Sequence, residues 1–346
     1  MLFAFGSNGS GQLGIGHDED VHTPSATSIQ AESALTEPLR IDAGGNHTLI
    51  LTKDGAVFAA GDNANGRCAF GSSIESSSKF RPCLPCGPTP QARFQTCAAT
   101  WEASVFASDR QVLSCGSGVK GELGQGENIV ESAQAQPIPG FPPPDTHVID
   151  MAAGMNHVVA VLDNGDVYGW GNGRKGQLGE ATSIVWSPRK ISSISFPVRR
   201  VACGREFTFV IGDSSRGQCA LLGADKWSIA SAAPQSVPGY IDVGAGWSNI
   251  YILQRDGTIL AWGRNNHGQL PPSKLPPVEA MAAGSEHVLA KTRDGKVLAW
   301  GWGEHGNCGL PTDDTGNVAG TWNEVQTSGS VQFIAAGCAT SFVFAS

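Results

Sequence analysis

One pattern recurs from end to end of the chain, and its fullest copy runs from Val148 to Gly179: VIDMAAGMNHVVAVLDNGDVYGWGNGRKGQLG. An Ala-Gly turn is followed three residues later by His (Ala153-Gly154…His157). An apolar run then closes on Asn164-Gly165, and an aromatic-Gly turn leads to Gly-Gln-Leu-Gly (Trp170-Gly171…Gly179). The first piece returns with its His at Ala43-Gly44…His47 and Ala283-Gly284…His287. Weaker copies lie at Cys203-Gly204, Ala245-Gly246 and Ala336-Gly337, with a degraded one at Ala99-Thr100-Trp101, seven in all. The third piece also occurs seven times, at Phe5-Gly6, Ala60-Gly61, Cys115-Gly116, Trp170-Gly171, Leu222-Gly223, Trp262-Gly263 and Trp300-Gly301. Successive turns of the first kind stand 38 to 56 residues apart, the spacing of a propeller or another repeat array.

Local chemistry makes each unit all-β. The segments VVAVL and DVYGW are short and rich in Val and aromatics, and Asn-Gly separates them. A two-residue turn of that composition is a hairpin signal, because both central residues need positive φ. Asp54-Gly55, Asp256-Gly257 and Asp294-Gly295 repeat it. Four short strands per unit and seven units predict a seven-bladed β-propeller. The chain opens on the last part of a unit (Leu2 to Gly14) and closes on the first part (Phe333 to Phe344). The expectation is therefore a last blade closed by N- and C-terminal strands, which hides sheet edges that an open array would expose. With the repeat unbroken from Phe5 to Phe344, residues 1–346 read as one domain.

Composition narrows the function. The net charge is −8, and basic residues are scattered without a run that could track phosphates, so direct nucleic-acid binding is not expected. Nine cysteines form no disulfide framework. No leader of signal-peptide type and no apolar run of membrane-spanning length occurs, so a reduced, soluble, intracellular protein is expected.

Few motifs carry chemistry. Gly116–Gly121, Gly171–Gly176 and Gly301–Gly306 match G-x-G-x-x-G, but each lies in the third repeated turn with no helix behind it to hold a pyrophosphate. Cys83-Leu84-Pro85-Cys86 is a lone C-x-x-C without the second ligand pair of a zinc site. It sits in a Ser- and Pro-rich stretch, Ser72 to Pro90, which reads as an inserted loop between blades. Gln125 to His147, with its run of prolines, reads as a stiff inter-blade connection. The acidic cluster Gly16 to Asp20 reads as a solvated loop, and the unit near Gly212 to Ala224 as irregular. His47, His157 and His287 share one blade position and read as structural, hydrogen-bonding backbone, rather than as a metal ring. No catalytic residue, cofactor site or metal site is expected.

Hairpin alternation does define a face. Two strands separate the Ala-Gly turn from the aromatic-Gly turn, so both open on the same side of the ring. That side displays Trp101, Glu102, Arg205, Trp247 and Glu286 around the central channel. The unusual turn Trp300 to Gly309 adds Trp302, Glu304 and His305. Aromatic and Arg anchors are what protein interfaces use as hot spots, and these eight residues are the expected partner-binding set. The competing reading has Trp101 and Trp247 folded back over the channel mouth as plugs. Glu304 beside His305 could in principle move a proton, though an interface or loop-bracing role fits the pattern better.

The unit Ala-Gly-x-x-His, Asp-Gly, Trp-Gly-x4-Gly-Gln-Leu-Gly resembles the regulator of chromosome condensation repeat over the whole chain. That resemblance implies a seven-bladed propeller with a composite last blade. A narrower likeness lies in Phe5 to Gly9, Gly16 to Asp20 with Thr23-Pro24, Gly44 to His47, Gly284 to His287, Trp300 to Gly309 and Gly337 to Thr340. Those segments resemble the fungal killer-toxin-insensitivity protein thirteen group, also called alpha-tubulin suppressor; Ser72 to Pro144 matches it poorly. This likeness implies a non-enzymatic protein that forms a heterodimer with a small CSL-type zinc- or iron-binding protein of diphthamide synthesis. The pair would support diphthamide on elongation factor two and, indirectly through Elongator, wobble-uridine modification of transfer RNA, in the cytoplasm and also the nucleus. The alternative, from the superfamily's founding member, is guanine-nucleotide exchange on a Ran-type GTPase; the basic tail which that reading expects is missing from this sequence.

Overall fold

The structure is a computed structural model and describes residues 1–30, 35–71, 73–83, 93–180 and 182–346. Seven small antiparallel sheets form the blades of the propeller. Their innermost strands, numbered here as blades 1 to 7, are Pro38–Ala43, Phe94–Ala99, Val148–Ala153, Val198–Cys203, Tyr240–Ala245, Val278–Ala283 and Val331–Ala336. Blade 3 shows the plan. Val148–Ala153 runs along the channel and His157–Leu162, Val167–Asn172 and Ile184–Lys190 follow outwards as a meander. Every residue of His157–Leu162 is buried, since blades pack against both faces of a middle strand and both faces must be apolar. Blade 7 closes as expected: Leu2 pairs with Phe344 and Gly6 with Thr340, giving the strand order Val21–Ala26, Leu2–Gly6, Thr340–Ala345, Val331–Ala336.

Three expectations are corrected. The stretches read as an inserted loop and a linker each contribute an outermost strand, Ser76–Pro82 in blade 1 and Glu131–Pro137 in blade 2. Outer strands face solvent on one side and carry no repeat signature, so they look like loops in sequence. Within the proline run beyond blade 2, Ile138 and Phe141 are buried, and the Phe141 ring stands edge-on to Trp170 of blade 3, centroids 5.5 Å apart. Blades 4 and 5 have three strands instead of four. Where a fourth would lie, Pro234 and Pro238 flank a single bridge at Ser236, and blade 5 places Pro271, Pro272, Pro276 and Pro277. Proline has no N–H to give to a ladder. Cys86 lies outside the described residues; the eight cysteines within them are free thiols. Among the described residues no helix is long and apolar enough to cross a membrane.

The repeat residues turn out to be links between blades. His47, His157 and His287 are buried and set Nε2 at 2.9, 3.1 and 2.9 Å from the hydroxyls of Ser104, Thr208 and Ser341, each on the next blade. The expected backbone partner is thus a side-chain hydroxyl. Ser104 Oγ donates to the Arg67 carbonyl and Ser341 Oγ to that of Asn307, so each must accept from the histidine N–H. The Trp170, Trp262 and Trp300 indoles donate backwards to Glu122, Ile229 and Gln269 carbonyls of the preceding blade. Together these bonds tie blades 1 to 7 in succession, one at each of six junctions.

A candidate protein-docking face

The Ala-Gly turns form a collar around one mouth of the channel. Backbone amides pass from blade to blade: Gly45 to Trp101, Trp101 to Met155, then Arg205 to Trp247, Trp247 to Ser285, and Ser285 to Gly337, at 2.7 to 3.1 Å. Within it, glycine is required where blades touch. A Cβ on Gly154 would stand 2.3 Å from the Gly204 carbonyl oxygen. The collar fixes the backbone of the residues that face the mouth. Cys203 and Cys338 also line it, and burial pushes their thiols up to about 12 and about 11, so neither is a thiolate near neutral pH.

Trp101 and Trp247 rise from this collar on blades 2 and 5. Their rings lean together over the channel, centroids 5.8 Å apart and planes tilted by 45°. Both are half-buried, so each covers the mouth and still shows an edge to solvent. The plug and the surface are one object. The Arg205 guanidinium lies 5.4 Å from the Trp247 ring, in cation–π range. Together with Glu286 and Trp302 they line a cleft of about 480 Å³ that runs outwards over blades 4 to 6. Turns of the first and third kinds do open on one side, as the alternation required.

The remaining expected residues are placed less simply. Glu286 is buried, its carboxylate accepting from Arg264 Nη1 at 2.8 Å and Gln269 Nε2 at 2.7 Å, so it shapes the cleft floor rather than facing a partner. Trp302 is half-buried and stacks on the His267 ring of the neighbouring blade at 4.7 Å. His305 pairs with Asp20, Nδ1 to Oδ2 2.9 Å, locking the blade 6 loop to that of blade 7. Asp20 also accepts from the Asn8 amide, so the acidic cluster braces a loop as well as meeting solvent. Glu304 is exposed beside Gly316, and Glu102 reaches Arg67 only at 3.9 Å. His305 has its carboxylate in Asp20, not in Glu304, and the pair Glu304–His305 forms no acid–base unit. Among the described residues no three His, Cys, Asp or Glu side chains gather as metal ligands. Among the described residues no α-helix follows any of the glycine motifs.

Two features escaped sequence reasoning. At the other mouth, Arg40 contacts Asp42 and Asp150 at 3.1 and 3.5 Å, and Arg200 contacts Asp150 and Asp242 at 3.1 and 2.8 Å. Arg40, Asp150, Arg200 and Asp242 all stand four residues before the turn glycine of their unit, so aligning the units would have shown the belt. The second is Trp227, on the blade 4 loop in the same cleft, which lay in the stretch that lacks Gly-Gln-Leu-Gly.

The fold and the collar define a seven-bladed repeat propeller with a tryptophan-rimmed face on one side. The chain belongs to the RCC1-like domain family, whose model matches residues 1–345. It is 32% identical over 288 residues to an RCC1 repeat-containing protein of Schizosaccharomyces pombe, covering 78% of each chain. It is 29% identical over 308 residues to the secretion-regulating guanine nucleotide exchange factor of Mus musculus, covering 81% of this chain and 64% of that protein. Among solved structures, Prp20p of Saccharomyces cerevisiae superposes with a TM-score of 0.83 at 19% identity, covering 99% of this chain and 90% of the other. Human WBSCR16 gives 0.81 at 19%, covering 100% and 99%. At that identity the two share the fold.

Proposed function

We propose that this chain is a non-catalytic docking propeller. Its partner is a small zinc- or iron-carrying protein of diphthamide synthesis, bound as a heterodimer. Through it the chain supports diphthamide on elongation factor two and, by way of Elongator, wobble-uridine modification of transfer RNA, in the cytoplasm with a nuclear pool. The observation that carries the docking role is the group Trp101, Trp247, Arg205 and Trp302, half-exposed aromatic and cationic side chains set on a hydrogen-bonded collar. Rigid aromatics and arginine over a preformed backbone are what hot spots are made of, because little entropy is lost when a partner arrives. The partner's identity rests on the resemblance of Trp300 to Gly309 and its companion segments.

Isothermal calorimetry with the same organism's small diphthamide-synthesis metal protein tests the reading. One-to-one binding, lost in Trp247→Ala with Trp302→Ala while the variant stays folded, supports it. No binding between two folded proteins removes it. The second reading is nucleotide exchange on a Ran-type GTPase; the name of the mouse relative supports guanine-nucleotide exchange, without naming the GTPase. Release of a fluorescent guanine nucleotide from Ran by this chain would establish that reading instead. If neither partner responds, a scaffold for some other protein is what remains.

A further inference from the structure

Trp227 is exposed to 46% on a loop whose backbone resists it. It adopts φ 63° and its neighbour Ser228 φ 56°, both left-handed. In blade 1 the corresponding 3₁₀ turn, Ala64–Gly66, makes the same bend with Asn65 at φ 55° and Gly66 at φ 79°. Asn and Gly tolerate this region, whereas other side chains crowd the carbonyl. A loop that only had to turn could use the Asn-Gly pair found in blade 1. Here Lys226–Ser228 holds an indole in its place, and the Asp225 carboxylate steadies the bend by accepting from the Ala230 and Ser231 amides at 2.7 and 3.0 Å. Strain of this kind marks a displayed side chain that has a use.

Cations frame that indole. Arg264 and Lys226 lie 5.6 and 5.9 Å from the Trp227 centroid, and Arg205 lies over Trp247 in the same cleft. Arg264 is committed to Glu286. Among the described residues neither Arg205 nor Lys226 has a carboxylate within salt-bridge distance, though the chain as a whole carries −8. The side chains that line the cleft are three cations, Arg205, Lys226 and Arg264, against two carboxylates, Glu206 and Glu286, while the Asp225 carboxylate is turned into its own loop.

We propose that this cleft receives an extended acidic segment of a protein partner. Its carboxylates meet Arg205 and Lys226, and an apolar or aromatic side chain lies against Trp227 and Trp247. Single-stranded RNA also uses cations and stacking, but its phosphates continue beyond the cleft onto a surface of the wrong sign. The inference rests on the docking-face reading and adds the chemistry of what docks there.

The test is fluorescence anisotropy with the full chain and a labelled short peptide of Asp and Glu bearing one central Phe. An oligouridylate of equal length serves as the competing probe. Saturable peptide binding is expected, weakened about tenfold or more by Arg205→Glu with Lys226→Glu. A similar loss is expected from Trp227→Asn with Ser228→Gly, a pair that restores the blade 1 turn and therefore keeps the fold. The proposal is overturned if the peptide fails to bind, if both variants bind it unchanged, or if only the RNA binds. Undiminished binding of the metal protein by both variants removes this inference and leaves the docking reading. Cleft-dependent peptide binding without any binding of the metal protein does the reverse.

Discussion

Trp101 of blade 2 and Trp247 of blade 5 meet above the channel with ring centroids 5.8 Å apart, although 146 positions separate them in the chain. The contact bridges blades that are not neighbours, so it holds the ring across its width. A double-mutant cycle of Trp101→Ala and Trp247→Ala, read by urea unfolding, should give a coupling of about 0.5–1.5 kcal/mol. Additive effects would mean that the rings part in solution.

Acid should loosen the blades through three histidines. Burial lowers His157 and His287 to about 4; burial, then the charge of Arg67, lowers His47 to about 3. The unfolded chain takes up these protons near pH 6.5. The stabilisation is therefore complete above about pH 6.5 and is lost as pH falls towards 4, on the order of 3 kcal/mol for each of His157 and His287. Urea midpoints measured across that window should drop steeply. His157→Asn, which installs the residue that blade 5 carries as Asn249, should make the drop shallower.

Gly154→Ala should cost roughly 1–3 kcal/mol, because the new Cβ would lie 2.3 Å from the Gly204 carbonyl and from the His157 ring, and neither can retreat. Gly9→Ala is the control. Nothing lies within 4 Å of its Cβ position, and thermal unfolding should hardly move.

Glu286→Ala removes the acceptor for Arg264 and Gln269 and leaves a cation facing an emptied floor. About 3 kcal/mol of stability should go with it, read by chemical unfolding. Glu286→Gln keeps one acceptor oxygen, enough for Arg264 or Gln269 but not for both, and should lose less.

Trp227→Asn with Ser228→Gly should raise the melting temperature by a few degrees, since two strained residues of about 1–3 kcal/mol each are relieved. An unchanged or lower value, measured by differential scanning calorimetry, would show that the bend costs nothing.

The turns and the middle strands were legible because geometry writes them directly: positive φ demands Gly or Asn, and burial on both faces demands runs such as VVAVL. Ring closure was legible for the same reason, since the two half-units at Leu2 and Phe344 could satisfy their edges only together. Outer strands were not. Ser76–Pro82 and Glu131–Pro137 bury little, so polar and proline-rich segments serve there and imitate linkers. Alternation does put the first and third turns on one side, but it says nothing about which side chains are already occupied. Glu286 and His305 looked available because their partners, Arg264 and Asp20, lie 22 and 285 residues away. Trp227 was missed because its blade drops the motif that marked the other loops.

Blade 7 also puts a clock on the making of this protein. Leu2 cannot pair until Phe344 has left the ribosome, and at about 5–20 residues per second that wait is roughly 20–70 seconds. Throughout it the strand Leu-Phe-Ala-Phe-Gly carries an open apolar edge, while blades 1 to 6 are added one by one with nothing yet to seal the ring. A half-made chain is thus a natural client for chaperones that hold exposed strands, and cells short of them should lose this propeller to aggregation before the ring closes.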